Sequence, residues 1–270
     1  MELSIGDRMK EYEMAEAGRR FAHELPVCAR LDGKNFSKFT RDMARPYDPR
    51  LSRLMQEVTV RLVREAGSCM GYTQSDEITL AFFSQGAKSQ IFFDGRIQKM
   101  TSVLASMCTA WFNDLFRSAF GEERLAFFDC RVWQPPSLAE AANVFLWREF
   151  DATKNSIAMA AQHRFSHEQL QDKHGGEMKQ MLLDEGVDWD GYPDFFKRGT
   201  FVQRRKVVRC FTAEELQALP PRHEARLRPA LEVERSEVRQ LSMPPFASVS
   251  NRVEVVFQGA EPVSHPALAG

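Results

Sequence analysis

GYTQSDEITLAFF, from Gly71 to Phe83, is the stretch of sequence from which the other elements of the chain can be placed. An apolar segment runs into the polar turn Gln74–Glu77, and apolar residues then recur at every second position up to Phe82. This pattern predicts two strands joined by a tight turn. The turn contains the adjacent acidic residues Asp76 and Glu77. Because an acidic residue is ordinary turn chemistry on its own, a functional role for Asp76 requires a second carboxylate beside it.

The segments on either side supply the remaining elements of the same unit. VCARLDG (27–33) and AFFDCRVWQ (126–134) each predict a strand, and apolar residues at helical spacing predict helices over 49–67 and 95–120. Strand, helix, strand, strand, helix, strand is the split β-α-β order, in which an antiparallel sheet carries two helices on one face. We therefore expect an α+β fold of the ferredoxin-like type.

That order predicts where two carboxylates meet. The first strand should lie antiparallel beside the third, so the end of one meets the start of the other. Asp32 ends the first strand and Asp76 precedes the third, and both are therefore expected at one edge of the sheet. The main-chain carbonyl of Gly33 is a third oxygen ligand in reach. Carboxylates combined with substrate phosphates are the usual protein setting of Mg²⁺, and two such ions clamp both oxygens of a phosphoryl displacement.

The second predicted helix adds two cations near its N-terminus, Arg96 and Lys99. A triphosphate beside carboxylate-bound metals needs nearby cations, which makes both residues candidates for phosphate binding. Ordinary exposed cations are the alternative, although positive charge at a helix N-terminus is locally unfavourable.

The second half is mainly helical in pattern. A Ser137-x-x-Glu140 box opens a helix over 138–159, and further helices are expected after Ser166 and over 176–184. Residues 195–208 resemble a hairpin with Gly199 near its turn, and 251–258 predict a last strand. No clear linker divides the chain, so the units 1–136 and 137–270 are expected to pack together.

The composition excludes several classes of protein. The 270 residues carry a net charge of −1 and 43% apolar residues, which is typical of a soluble globular chain rather than a uniformly basic nucleic-acid binder. No apolar run is long enough to span a membrane, and a cytoplasmic location without membrane partners is expected. The five cysteines form no CxxC pair and are expected to be reduced. His163 and His167 lack acidic or cysteine partners for a zinc site.

Several separated motifs together resemble the tRNA-His guanylyltransferase superfamily, the reverse (3′-to-5′) polymerases that add nucleotides to the 5′ end of tRNA. The matching motifs are RMKEYE (8–13), RLDGKNFSKFTR (30–41), RPYD (45–48), GYTQSDE (71–77), the helix start with Arg96 and Lys99, FDCRV (128–132), WRxxD (147–151) and KRGT (197–200). They occur in the family's order over about the first 210 residues, and they are specific as a set.

The resemblance implies a palm-like catalytic core in residues 1–136. In it, Asp32, the Gly33 carbonyl and Asp76 would hold two Mg²⁺ ions, with Asp32 and Asp76 catalytic. The implied nucleotide-binding residues are these three with Lys34, Asn35, Phe36, Ser37, Ser75, Arg96 and Lys99. The implied RNA or phosphate contacts are Lys38, Arg41, Arg45, Asn155, Lys197 and Arg198.

The resemblance also implies the substrates and the partners. ATP activates the tRNA 5′-phosphate, or the RNA already carries a triphosphate, and the 3′-hydroxyl of GTP or another NTP then attacks. A homotetramer is expected, because family members handle a tRNA with more than one subunit. The alternatives from the same residues are a nucleotidyl cyclase or conventional palm polymerase, and a non-catalytic RNA-binding module.

Two departures from the eukaryotic pattern favour the bacterial and archaeal guanylyltransferase-like branch, which repairs truncated 5′ ends on a template. Ser37 stands where the eukaryotic enzymes have histidine, and TKNSIA (153–158) replaces their HINNLY segment, keeping Asn155. The C-terminal segments MPPF (243–246) and NRVEVVF (251–257) are also similar to that branch. Templated repair is therefore expected rather than strict addition of G to tRNA-His.

Overall fold

The computed structural model describes residues 3–84, 86, 89–228 and 230–264. Its strands are β1 (Val27–Gly33), β2 (Met70–Gln74), β3 (Glu77–Phe82), β4 (Phe128–Trp133), β5 (Thr200–Cys210) and β6 (Glu232–Leu241). Its helices are α1 (Ile5–Ala17), α2 (Phe36–Phe39), α3 (Pro49–Ala66), α4 (Ile97–Phe120), α5 (Leu138–Gln162), α6 (His167–Leu170), α7 (Gly175–Asp184), α8 (Asp194–Lys197), α9 (Ala213–Ala218), α10 (Glu224–Leu227) and α11 (Arg252–Phe257). No helix among these described residues is long and apolar enough to cross a membrane.

The strands form one antiparallel sheet in the order β4-β1-β3-β2-β5-β6. The first four of these strands have the predicted split β-α-β order, which confirms the α+β fold class. β1 and β3 pair so that Val27 lies opposite Phe82 and Asp32 lies opposite Glu77. The end of β1 and the start of β3 therefore share one edge of the sheet, which we call the Asp32 edge.

Helices cover both faces of the sheet. Side chains alternate between faces along a strand, and the face with Val27, Ala29 and Leu31 packs under α3 and α4 in the larger core. This is the face on which two helices were predicted. The opposite face, with Cys28 of β1 and Tyr72 of β2, packs against residues of α5 and α11 in a second core. The sheet is thus the middle layer of three, and residues from the second half of the chain cover its second face.

The expected hairpin over 195–208 is wrong. Its first part is the helical turn α8, and Thr200–Cys210 is one continuous strand that pairs with β2 on one side and β6 on the other. Gly199 lies between α8 and β5 with φ of +78°. A Cβ there would lie 2.5 Å from the Tyr72 hydroxyl, so the glycine serves a close approach to β2 rather than a hairpin turn.

The expected last strand over 251–258 is also wrong, because this segment forms α11. The alternating apolar residues of NRVEVVF suggested a strand, but the consecutive residues Val255, Val256 and Phe257 are all buried in the second core. A short apolar run fits a buried helix as well as a strand, and tertiary packing decides between them.

Candidate active site

The structure places the three predicted metal ligands together at the Asp32 edge. Asp32 pairs with Glu77 across β1 and β3, and Asp76 is the turn residue immediately before Glu77. A Cβ built on Gly33 would lie 3.0 Å from Oδ2 of Asp76, so that carboxylate lies directly against the glycine. Their role as ligands stays a prediction, but their proximity is a feature of the fold.

The turn after Gly33 shows why a glycine stands there. A Cβ at this position would lie 2.4 Å from the ring of Phe36, which is buried. Asn35, between them, adopts the left-handed conformation with φ of 52°, which folds the chain back onto β1. The ring of Phe36 packs against Phe112 and Phe128 at centroid distances of 5.5 and 5.7 Å. The aromatic core therefore fixes the loop that follows Asp32.

The Asp76 side chain is half-buried and has no cationic partner in the described residues. Ser75 Oγ donates a hydrogen bond to its Oδ1 at 3.0 Å, and the ion pairs at this edge go to Glu77 instead. Burial raises the pKa of Asp76 to about 6, and the nearby negative charge of Asp32 acts in the same direction. A bound cation would relieve both effects.

The donor set fits Mg²⁺ better than a metal that needs an all-protein cage. The described residues contain no group of three or more His, Cys, Asp or Glu side chains able to hold a metal. Two carboxylates and a carbonyl leave coordination positions for water and phosphate oxygens, which is how Mg²⁺ is usually bound.

A cavity of about 290 Å³ opens at the same edge. Its lining includes the predicted nucleotide-binding residues Phe36, Ser37, Ser75 and Asp76. The opposite wall comes from the second half of the chain, with Ala152 and Ser156 of α5 together with Phe195 and Phe196. The cavity therefore lies between the predicted catalytic half and the rest of the chain.

Aromatic contacts hold that wall in place. Tyr47, in the basic loop after β1, packs against Phe196 at 4.6 Å, Phe195 at 5.3 Å and Tyr192 at 6.0 Å between ring centroids. Sequence reasoning did not identify these residues. RPYD was visible as a motif, but the segments that meet Tyr47 lie about 150 positions further along the chain.

The predicted residues Lys34 and Asn35 lie in the turn beside Asp32, with both side chains exposed. The main-chain N–H of Lys34 donates to the carbonyl of Phe127 at 2.8 Å, which ties the turn to the start of β4. The Lys34 side chain is thus exposed to solvent two positions after Asp32.

Arg96 and Lys99 do not lie at the Asp32 edge with the carboxylates, and their contact with nucleotide phosphates stays a prediction. β3 leads away from Asp76, and α4 begins only after the chain has crossed the sheet. At about 1.5 Å per residue, Lys99 lies roughly 20 Å along α4 from Phe112, whose ring contacts Phe36. Both cations line a separate cleft of about 680 Å³ with Arg20. The direction of β3, already predicted, was the signal that should have placed them there.

The predicted RNA contacts fall into two groups. Lys38, Arg41, Arg45 and Asn155 have exposed side chains, and Arg45 also lines the cavity.

Lys197 and Arg198 make internal contacts instead. Lys197 Nζ donates to the carbonyl of Asp190 at 2.6 Å, and Arg198 contacts the Asp194 carboxylate at 3.0 Å and the Met243 carbonyl at 3.2 Å. Their RNA contacts stay predictions, and in this structure both residues join the segments around β5.

A buried ion pair next to Asp76 was missed. Arg148, in the WRxxD motif, bonds both carboxylate oxygens of Glu77 at 2.6 and 2.9 Å and also bonds Asp151 at 2.6 Å. Burial raises the pKa of Glu77, an effect that the charges of Arg148 and Arg30 oppose. Both motifs were visible in the sequence, but nothing in their spacing indicated that they meet.

Comparison with known proteins decides the family. Residues 6–136 match the family model described as Thg1, tRNAHis guanylyltransferase. A bacterial tRNA(His) guanylyltransferase (Thg1)-like protein in complex with ATP is 38% identical, with a TM-score of 0.71, over 74% of this chain and 88% of that one. The chain belongs to the tRNAHis guanylyltransferase family. It is a guanylyltransferase-like enzyme, so the resemblance inferred from the separated motifs is confirmed.

Other members of the tRNAHis guanylyltransferase family support the assignment. A bacterial Thg1-like protein in complex with GTP is 31% identical, with a TM-score of 0.70, over 91% of this chain and 94% of that one. The tRNA(His) guanylyltransferase of Debaryomyces hansenii is 25% identical over 66% of this chain and 73% of that protein. The match to bacterial Thg1-like structures agrees with the branch indicated by the departures from the eukaryotic motifs.

Proposed function

We propose that this chain is a Mg²⁺-dependent nucleotidyltransferase that adds nucleotides to the 5′ end of tRNA. The observation that carries the proposal is the meeting of Asp32, Gly33 and Asp76 at one edge of the sheet, where Asp76 also lines a cavity of about 290 Å³. Two of the bacterial relatives are described in complex with ATP and with GTP, and the family is described by its action on tRNA.

The chemistry assigned to the site needs no covalent intermediate on the protein. Asp32, Asp76 and the Gly33 carbonyl would hold two Mg²⁺ ions, which polarise the phosphoryl group and lower the pKa of the attacking hydroxyl when bound. Ser37 and Ser75 line the cavity beside the carboxylates, where they are placed to orient the nucleotide. The exposed ammonium of Lys34 adds positive charge next to the phosphates.

The same proposal specifies the substrates. ATP transfers AMP to the 5′-phosphate and releases pyrophosphate, or the RNA already carries a 5′-triphosphate. The 3′-hydroxyl of GTP or another NTP then attacks the 5′ phosphorus, loses its proton and displaces AMP or pyrophosphate. Ser37 and Thr153, which differ from the eukaryotic pattern, favour templated repair of a shortened 5′ end over addition of G to tRNA-His. A homotetramer and a cytoplasmic location complete the proposal, and light scattering of the full chain measures the number of subunits.

A 5′-extension assay tests the function. Full-length protein is incubated with Mg²⁺, all four NTPs and tRNA lacking its first nucleotide, carrying either a 5′-monophosphate or a 5′-triphosphate. We expect incorporation of the base complementary to the opposite strand, and at least a 1,000-fold loss for Asp76→Ala, of the order found when a residue essential to catalysis is removed. Asp184→Ala, which removes an exposed carboxylate at the end of α7, should extend RNA normally.

Three results would reject this function. The first is a lack of extension on triphosphorylated RNA. The second is formation of a cyclic nucleotide from NTP without RNA, which identifies a cyclase. The third is RNA binding that is unaffected by EDTA and accompanied by no NTP turnover, which identifies a binding module.

A further inference from the structure

Glu77, the second acidic residue of the turn, makes contacts quite unlike those of its neighbour Asp76. It is 8% exposed, and its carboxylate pairs with Arg148, which is 5% exposed, through two charge-assisted hydrogen bonds. Arg30 approaches the same carboxylate at 3.8 Å. Because both oxygens of Glu77 are used in this way, Glu77 is not a free metal ligand, whereas the Asp76 carboxylate has no cationic partner in the described residues.

Arg148 is itself held firmly from several directions. Its third guanidinium nitrogen bonds Asp151 one turn further along α5, at 2.6 Å. The Tyr72 hydroxyl of β2 donates to the Arg198 carbonyl at 2.8 Å and lies 3.4 Å from the main-chain carbonyl of Arg148. The next residue, Glu149, accepts the main-chain N–H of Phe246 at 2.7 Å. This part of α5 is therefore fixed to β2 and to the C-terminal segment, and it provides a rigid support for Glu77.

The hairpin tip needs such a support. Ser75 has φ of 50°, a conformation that costs a non-glycine residue free energy, and Asp76 lies beside the like charge of Asp32. The positive φ of Ser75 and the repulsion between the two carboxylates both disfavour the observed conformation of the turn. A bidentate arginine–carboxylate pair supplies directional restraint even when its net contribution to stability is small.

We propose that Arg148 is a positioning residue which, by binding Glu77, holds the β2–β3 turn so that Asp76 meets Asp32 at the metal site. The inference rests on the proposed function of the Asp32 edge, but it concerns residues outside the proposed ligand set. It assigns the arginine of WRxxD to the metal site rather than to a direct contact with nucleotide or RNA.

Hydrogen exchange and Mn²⁺ binding on the full chain test the proposal without requiring turnover. The variants are Arg148→Gln, Arg148→Lys, Glu77→Gln and the double variant Arg148→Gln with Glu77→Gln. The matched control is Arg61→Gln, which removes an arginine from an exposed pair with Glu57 at 3.0 Å on α3. Arg148→Lys keeps the charge but loses the two-pronged geometry, so it remains informative if the glutamine variant folds poorly.

We expect Arg148→Gln to speed amide exchange over 74–77 and to weaken Mn²⁺ binding by about 10- to 100-fold, as for other partners that orient metal ligands. Arg148→Lys should be intermediate, and Glu77→Gln should resemble Arg148→Gln. The double variant should be little worse than either single variant, because both remove one interaction. Where extension is measurable, kcat should fall more than the KM for NTP rises.

Other outcomes overturn the proposal. Unchanged exchange at the turn and unchanged Mn²⁺ affinity in folded Arg148→Lys would show that Arg148 does not position Asp76. Loss of Mn²⁺ binding in Glu77→Gln with normal binding in both Arg148 variants would make Glu77 a ligand instead. A lack of 5′ extension by the unmodified protein rejects the proposed function, but amide exchange at the turn still tests the role of Arg148 independently.

Discussion

Gly33 shows how much a single position constrains the site. The ring of Phe36 and the carboxylate of Asp76 occupy the space that a side chain at this position would need. The aromatic ring is packed against Phe112 and Phe128, so it has no room to move aside. The same glycine thus lets the chain turn after Asp32 and lets Asp76 approach.

We expect Gly33→Ala to lower the free energy of unfolding by about 1–3 kcal/mol, as overpacking in a filled core does. It should also abolish 5′ extension, because the methyl group displaces Asp76. Chemical denaturation and the extension assay measure the two effects. The control is Gly176→Ala in α7, where nothing lies within 4 Å of the new Cβ and helix propensity favours alanine. Equal stability of the two variants would contradict the packing argument.

The proposed metal-binding role of Asp76 requires an ionised carboxylate, whereas its partial burial makes that ionised form cost folding free energy. Its folded-state pKa of about 6 exceeds its usual value of 3.8, chiefly because the group is buried. The folded chain therefore binds more protons than the unfolded chain between these values. In the absence of metal, stability should fall as the pH rises through this window, and the contribution of the protonated carboxyl should be lost fully above about pH 6.

We expect Asp76→Asn to unfold at a higher denaturant concentration than the unmodified protein in EDTA at pH 7.5. The gain should be about 1–3 kcal/mol, allowing for the partial exposure of the group. It should shrink as the pH falls through this window and approach zero only below the usual pKa of 3.8, where the carboxyl is protonated in both states. Asp184→Asn is the exposed control. A gain that is independent of pH would show that ionisation of Asp76 is not its cause.

At the scale of elements, the β5–β6 ribbon has an inner part that belongs to the sheet and an outer part that is more exposed. The inner part of β5, around Val202, lies between β2 and β6 and is buried. Beyond Gln203, β5 pairs with β6 alone, and residues from Arg204 to Cys210 are mostly exposed or half-buried. Ion pairs such as Lys206–Glu234 and Arg209–Glu237 link the two strands there.

We expect the outer part of this ribbon to open more readily than the sheet. Main-chain amides of residues 206–210 should exchange at least about tenfold faster than those of 201–203, because few buried apolar contacts hold them. Mass spectrometry after proteolysis resolves the two segments. Equal protection in both would mean that the outer ribbon is covered by another surface, such as a second copy of the chain.

At the scale of the whole molecule, two cores share one sheet. The first core lies under α3 and α4, and all its buried residues except Val202 belong to the part of the chain that matches the family. The second lies under α5 and the C-terminal residues from Met243 to Phe257, and it encloses Cys28 and Tyr72 of the central strands. We infer that the units 1–136 and 137–270 fold together, since separation would expose an apolar sheet face and the pairing edge of β2.

We expect the fragment 1–136 to lack a cooperative thermal transition and to bind a hydrophobic dye, whereas the full chain unfolds in one step. The reason is that Cys28, Met70, Tyr72 and Ala81, all fully buried in the full chain, lose their cover. Calorimetry and dye fluorescence make the comparison. A fragment that unfolds cooperatively at the temperature of the full chain would show that the first half is an independent domain.

Local pattern and simple pairing rules were enough to predict several parts of this protein. Alternating apolar residues predicted β1 and β3, helical spacing predicted α3 and α4, and the split β-α-β order placed Asp32 and Asp76 at one edge. The strands and helices follow from short-range periodicity within these segments, and the shared edge follows from their order along the chain. The family motifs added the substrates and the proposed roles.

The remaining features depend on the tertiary fold. That fold covered the second face of the sheet and made a helix of 252–257. It also joined Glu77 to Arg148 across 71 positions of sequence. The periodicity of one segment does not indicate which distant segment it will contact. The free energy of such a contact comes from burial and charge pairing, which exist only once the chain has folded.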